Sequence, residues 1–157
     1  MLRIDIDNTA VLDALQRLTA RAQDLRPALM EIGEEVAEST KERFRTGVAP
    51  DGTEWDANSN VTVAIYNNMF ARPGAKKPLV GETRRLSSEL SWQLTGSGGG
   101  VEIGSSLPYA NMHQFGGTRS QWPHLWGDIP ARPFLGISAS DETTILNIVA
   151  DYLLPGD

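Results

Sequence analysis

Val11, Leu15, Leu18, Ala22 and Leu25 recur at intervals of four, three, four and three residues, which places all five on one stripe of an α-helix. A strand alternates its side chains at period two and has no use for that spacing, so this part of the chain is committed to helix. Asp7 or Asn8 supplies a residue type that caps the first turn. Pro27 then suits the first turn of a second helix, where its missing N–H costs nothing, and Leu29, Ile32, Val36 and Phe44 continue an apolar face up to Gly47. A single helix kinked at Pro27 has the same pattern. Ahead of the helical region, Leu2, Ile4 and Ile6 alternate with Arg3 and Asp5, the signature of a short half-buried strand.

Beyond Gly47 the run Pro50-Asp51-Gly52-Thr53 has turn chemistry, followed by Trp55 as a large aromatic anchor. Between residues 57 and 70, Val61, Val63 and Ile65 alternate like a strand, while Asn58 or Ser59 as a cap with Val61, Ile65 and Met69 favours a helix or irregular structure. The second reading is the one we expect. Residues 71–82 (ARPGAKKPLVGE) have the composition of an exposed, flexible loop. Leu90, Trp92 and Leu94 alternate, a glycine-rich turn follows, and Val101 and Ile103 alternate on the far side, so residues 88–95 and 101–106 are expected to form a hairpin. No Lys-Ser or Lys-Thr follows the glycines, which removes the phosphate-cradle reading. A short helix is expected from Pro108 to Phe115, closed by Gly116 and Gly117, then a second flexible loop over 117–128 containing Trp122 and Trp126. Residues Phe134 to Ile137 can pair at a sheet edge. Asp141 and Glu142 open a final helix in which Ile145, Ile148, Val149 and Tyr152 share a face, stopped by Pro155-Gly156. The sum is one α+β domain over residues 1–157, with N-terminal helices and a C-terminal helix packed on a small, mostly antiparallel sheet that contains the hairpin.

Charge and composition narrow the function. Fourteen Lys plus Arg face twenty Asp plus Glu, a formal net charge of −6, with the deficit concentrated after residue 100. A general nucleic-acid binder needs a basic stripe instead. With no Cys, disulfides, thiolate metal sites and cysteine nucleophiles are excluded. The first ten residues lack the apolar core of a signal peptide and no run is long enough to span a membrane, so a soluble protein made in the cytoplasm is expected. His113 and His124 are the only histidines; no HExxH motif and no Gly-x-Ser-x-Gly elbow accompanies them. Asp51, Glu54 and Asp56 cluster near a turn without the spacing of a calcium loop. We expect no catalytic residue, metal or cofactor. Trp122 and Trp126, four apart in a loop bounded by Gly and Pro, either fold back on the core or anchor a contact between subunits.

Two strings, Tyr109-Ala110-Asn111-Met112-His113-Gln114-Phe115-Gly116-Gly117 and Ile129-Pro130-Ala131-Arg132-Pro133-Phe134-Leu135-Gly136, together resemble the phage virion morphogenesis family of Mu-like phages, related to P2-type tail completion proteins. Arg43-Phe44, the Pro50-Asp51-Gly52-Thr53-x-Trp55 turn, Thr83-x-x-Leu86-x-Ser88 and Val101-Glu102-Ile103-Gly104 fall in the order the family has them, and the likeness covers residues 10–154. Two departures fall on the Val- and Asn-rich segment 57–70 and on Glu82, where relatives often carry Gly. The resemblance implies a non-enzymatic virion protein of the neck or tail end, acting in tail completion and head–tail joining as a self-associated ring, for which six subunits match a sixfold tail. It implies contacts with tail-tube or neck-connector proteins, and with passing DNA without sequence recognition.

Physical reasoning on the motif adds detail. Pro130 and Pro133 make 130–134 stiff and extended, Arg132 can offer its planar fork to carbonyls or a carboxylate, and Gly116 and Gly117 allow the turn that brings Phe115 and Phe134 into one apolar cluster. His113, Gln114 and Arg132 are expected to order this junction by hydrogen bonds. Three rivals differ in kind: a capsid-side connector or minor capsid component, with an assembly factor outside the virion behind it; a small hydrolase using His113 with Asp128; and a DNA-gripping module using Lys76, Lys77, Arg84 and Arg85.

Overall fold

A computed structural model describes residues 9–70, 77–81, 83–96, 98–125 and 127–154. Within them run α1 (Thr9–Gln23), α2 (Arg26–Thr46), α3 (Asn60–Phe70), a single helical turn α4 (Arg85–Ser88), β1 (Leu90–Leu94), β2 (Val101–Ser105), α5 (Ala110–Phe115) and α6 (Ala139–Leu153). The fold is α+β. The expected strand at 2–6 and its cap, most of the loop 71–82, Trp126 and Pro155-Gly156 lie outside the described residues.

Pro27 starts a new helix instead of kinking one. Asp24 and Leu25 separate α1 from α2, with Pro27 in the first turn of α2. Gly47 closes α2 in the left-handed conformation at φ 79°, its N–H donating to the Arg43 carbonyl. Residues 60–70 are helical, as expected, because the Ser59 hydroxyl accepts the Thr62 N–H and caps the first turn. At its far end the chain enters α6 through a capping box, in which Ser138 and Asp141 exchange side-chain and backbone hydrogen bonds.

β1 and β2 form an antiparallel hairpin in which Leu90 faces Ser105, Trp92 faces Ile103 and Leu94 faces Val101. The first strand begins later than the sequence pattern suggests. Ser87 and Ser88 return their hydroxyls to the carbonyls of Arg84 and Arg85, which keeps 85–88 in a helical turn and buries Leu86. Phe134–Ile137 is no strand either, for a reason given with the site below. Of the segment read as a flexible loop, the described residues 77–81 are anchored: Pro78 is buried and Leu79 packs against the core.

The core has two parts on either side of α2's length. Ala28, Ile32 and Val36 meet Ile148 of α6, and Ile145, Val149, Tyr152, Val101 and Ile103 pack around them. The second cluster gathers Phe44, Ala49, Trp55, Leu86, Leu90, Leu107, Ala110 and Phe134. Helix α2 crosses the hairpin so closely that Gly33 has no room for a side chain: a Cβ there would sit 2.6 Å from the Trp92 ring and 3.0 Å from Val101. Gly33→Ala gains helix propensity of about 1 kcal/mol but must displace a packed indole, which costs about 1–3 kcal/mol. We expect net destabilisation, read as a lower urea midpoint; a rise in the midpoint would show that the indole moves freely.

In contrast, α1 is thinly supported. Residues 11–17 are all exposed, including Val11 and Leu15 from its apolar stripe and Leu12 beside it, and only Leu18 and Arg21 are half-buried. Its C-terminal end is tied down where Arg21 donates to the Tyr152 carbonyl and the Tyr152 hydroxyl donates to the Asp24 carbonyl.

Candidate functional site

The stiff segment 129–136 runs across the molecule as a strap with no sheet to pair with. Two prolines remove two of its N–H donors, and its groups from 133 to 136 are met by side chains from three other parts of the chain. The Gln114 amide oxygen accepts from the N–H groups of Phe134 and Leu135 at 3.0 Å each, and its NH2 donates to the Leu135 carbonyl at 2.9 Å. The Trp55 indole N–H donates to the Pro133 carbonyl at 2.8 Å. Arg43 donates to the carbonyls of Phe134 at 2.8 Å and Gly136 at 2.9 Å. These bonds replace the edge pairing expected at 134–137.

Arg132 works in the opposite direction. It is buried, and its guanidinium donates Nε to the Asp56 carbonyl at 2.7 Å and Nη2 to the Ala57 carbonyl at 3.0 Å, while its own N–H donates to the His113 carbonyl at 2.7 Å. The planar fork thus binds two successive carbonyls of the turn after Trp55. Between these anchors Phe134 is fully buried, its ring centroid 5.3 Å from that of Phe44, which in turn meets Trp55 edge-on at 5.5 Å.

Behind the strap stands a buried ion pair. Arg43 and Asp141 side chains are 7% and 6% exposed and bond directly, and Ser39 donates to the same carboxylate. Desolvation pushes the Asp141 carboxyl up, yet the Ser39 hydroxyl, the Ser138 N–H and hydroxyl and the Arg43 charge together outweigh it and hold the group below the ordinary carboxylate value.

Gly116 and Gly117 set the other edge of the strap. Gly116 has φ 72°, and a Cβ there would lie 2.7 Å from the Ala131 nitrogen. Gly117 and Ile129 exchange backbone hydrogen bonds of 2.9 and 2.8 Å, closing the base of the tryptophan loop. Inside that loop the Asp128 carboxylate accepts the Arg119 N–H at 2.7 Å. The turn does not bring Phe115 to Phe134: Phe115 is 75% exposed, because the left-handed Gly116 turns the chain just after it and leaves its ring on the outer side of α5. Trp122 is 49% exposed in the loop that follows, with its indole edge 3.3 Å from where a Gly117 Cβ would be. Both aromatic side chains are thus exposed, one on each side of the glycine turn.

His113 does not bond as expected. Its carbonyl receives Arg132, but its Nδ1 is buried and meets no hydrogen-bond partner among the described residues. The ring packs edge-on against Tyr109 at 5.9 Å, and both line a cleft of about 390 Å³ whose wall also includes Pro130, Arg132, Asp128 and Arg85. Burial, then the Arg132 charge, lowers the His113 pKa below its ordinary 6.5. A group whose folded pKa is depressed favours the folded state when neutral, so stability is lost as pH falls below about 6.5. His113→Asn is expected to remove that part of the pH dependence in chemical unfolding at pH 7 and pH 5.5; an unchanged slope would place its origin elsewhere.

Sequence reasoning placed Asp141 at the opening of the last helix and Arg43 in a family motif, but did not pair the two. The available signal was helical phase: Ile32, Val36, Thr40 and Arg43 fall on one face of α2, and all four are buried. A charged residue in that register calls for a buried counter-ion. Among the described residues no three His, Asp or Glu side chains gather closely enough to hold a metal ion, and no helix is long and apolar enough to cross a membrane. Of the cations considered for gripping DNA, Arg85 pairs with Glu89 and Lys77 donates to the Arg45 carbonyl.

A G protein of a Mu-like prophage, "Mu-like prophage FluMu G protein 2" of Haemophilus influenzae, is 28% identical over 153 residues, covering 97% of this chain and 96% of the relative. The "Putative capsid assembly protein G" of Escherichia phage Mu is 30% identical over 113 residues, covering 71% of this chain and 68% of that protein. No solved structure matches. The sequence pattern that defines the phage virion morphogenesis family matches residues 6–154, a span that takes in the α2 struts, the hairpin, the Gly116-Gly117 turn and the strap, and the chain belongs to that family.

Proposed function

We propose that this morphogenesis protein acts in tail completion and head–tail joining, as a structural, non-enzymatic component that self-associates into a ring at the head-proximal end of the tail. The observation that carries the reading is the surface beside the strap. Phe115 and Trp122 stand exposed at 75% and 49%, Phe115 next to the Gln114 that clasps the strap and Trp122, its own N–H donating to the Thr118 carbonyl, in a loop whose base is closed by the Gly117–Ile129 hydrogen bonds. Rigid aromatic anchors on a pre-ordered scaffold are what a protein interface uses, because little entropy is lost when they dock. A ring needs such anchors on one side of each subunit, meeting a different surface of the next.

A second reading has its own support, since the phage Mu relative carries a name that refers to capsid assembly. Gold labelling of a peptide-tagged chain separates the two. Label at one end of free tails is the expected result, and label confined to capsids would overturn the proposal in favour of the capsid-side role.

A further inference from the structure

The sheet of this fold is short of a strand, and the chain carries a segment of matching pattern. Among the described residues β1 and β2 pair only with each other and α2 covers one face of the hairpin, so the edge of β1 away from β2 has no strand paired to it. Along β1 a groove of about 550 Å³ runs between that strand and α2, with Leu90, Ser91 and the half-buried Trp92 on one wall and Ala37, three glutamates and Lys41 on the other. Leu2, Ile4 and Ile6 alternate with Arg3 and Asp5, so an extended 2–6 would present three apolar side chains on one face and a cation among the polar ones. An open strand edge beside an apolar wall is the complement of a segment whose three apolar side chains share one face.

We propose that residues 2–6 of one copy add a third strand to the outer edge of β1 in a second copy. A neighbour is the donor because residues 11–17 of α1, the part of the helix that adjoins this segment, are exposed in the single subunit, and the side-chain ties of the helix region to α6 lie at its other end, at Arg21 and Asp24. A helix whose apolar stripe is uncovered in the single subunit is consistent with an arm that reaches across to a partner. The proposal rests on the self-association put forward above and assigns it a contact.

The chain contains no cysteine, so introduced thiols report alone. Arg3→Cys or Asp5→Cys chains are mixed with Ser91→Cys chains under mild oxidation, with Glu102→Cys on β2 as the control for the wrong edge. The expected result is a disulfide between different chains in one of the mixtures with Ser91→Cys and none with Glu102→Cys. A bond only when both cysteines share one chain, a bond to position 102 alone, or no bond overturns the arm exchange. Sedimentation of the unmodified chain and of a variant lacking residues 2–6 keeps the two proposals apart. At least tenfold weaker association of the shortened chain is expected; association unchanged by the deletion removes the arm and leaves the ring, whereas an unmodified chain that stays monomeric removes both.

Discussion

Arg43→Ala is expected to lower the unfolding free energy by about 3–5 kcal/mol, the range for breaking a buried ion pair by removing one partner. The magnitude follows from what is left behind. Asp141 stays buried without its cation, and the carbonyls of Phe134 and Gly136 lose their donor at the same time. The loss therefore falls on the strap and on the start of α6 together, since Asp141 also completes the capping box at Ser138. Asp141→Asn should keep much of the cap and lose the charge, so it is the milder of the two. The depressed Asp141 carboxyl gives the effect a pH signature: its contribution is complete above the ordinary carboxylate value of 3.8 and fades as pH falls through the lower folded value. Urea unfolding of the wild type and Asp141→Asn from pH 6 to pH 3 should show the wild type losing its advantage at the acid end. An Arg43→Ala cost below about 1 kcal/mol would mean that apolar contacts alone hold the strap.

Phe134→Ala is expected to cost a similar amount, about 3–5 kcal/mol, because it empties a site that is 0% exposed between Phe44 and the strap. For a chain of this size each kcal/mol moves the melting midpoint by roughly 2–4 °C, so the shift is on the order of 10 °C. The second consequence is local. Gln114 bonds the backbone at 134 and 135, so a collapse of this pocket loosens the base on which Phe115 and Trp122 stand. Calorimetry measures the first effect; faster amide exchange at residues 134 and 135 measures the second. A midpoint within 2 °C of wild type would show that the site relaxes to fill the void.

Much of this fold could be read from periodicity. The helix stripes, the Ser59 cap, the hairpin and the α6 face all follow from local spacing, and each is present. What spacing could not show is where a chain turns outward. Phe115 sits one residue before Gly116, and only the sign of φ at that glycine decides whether its ring joins Phe134 or faces solvent. The strap was legible as stiff but not as unpaired, because its bonds come from Gln114, Trp55 and Arg43, which are distant along the chain. Similarly, the α1 stripe announces a helix without saying what covers it, and in the single subunit Val11, Leu12 and Leu15 stay exposed. Arg132 was the opposite case: a planar fork between two prolines had few places to go, and carbonyls were one of them.

The central claim is that this family member works at the junction of tail and head. The direct test is electron microscopy of the lysate from a phage whose copy of this gene carries an early nonsense codon. The account predicts DNA-filled heads beside tails that remain unjoined or end irregularly. Normal tails accompanied by missing or malformed capsids would contradict it.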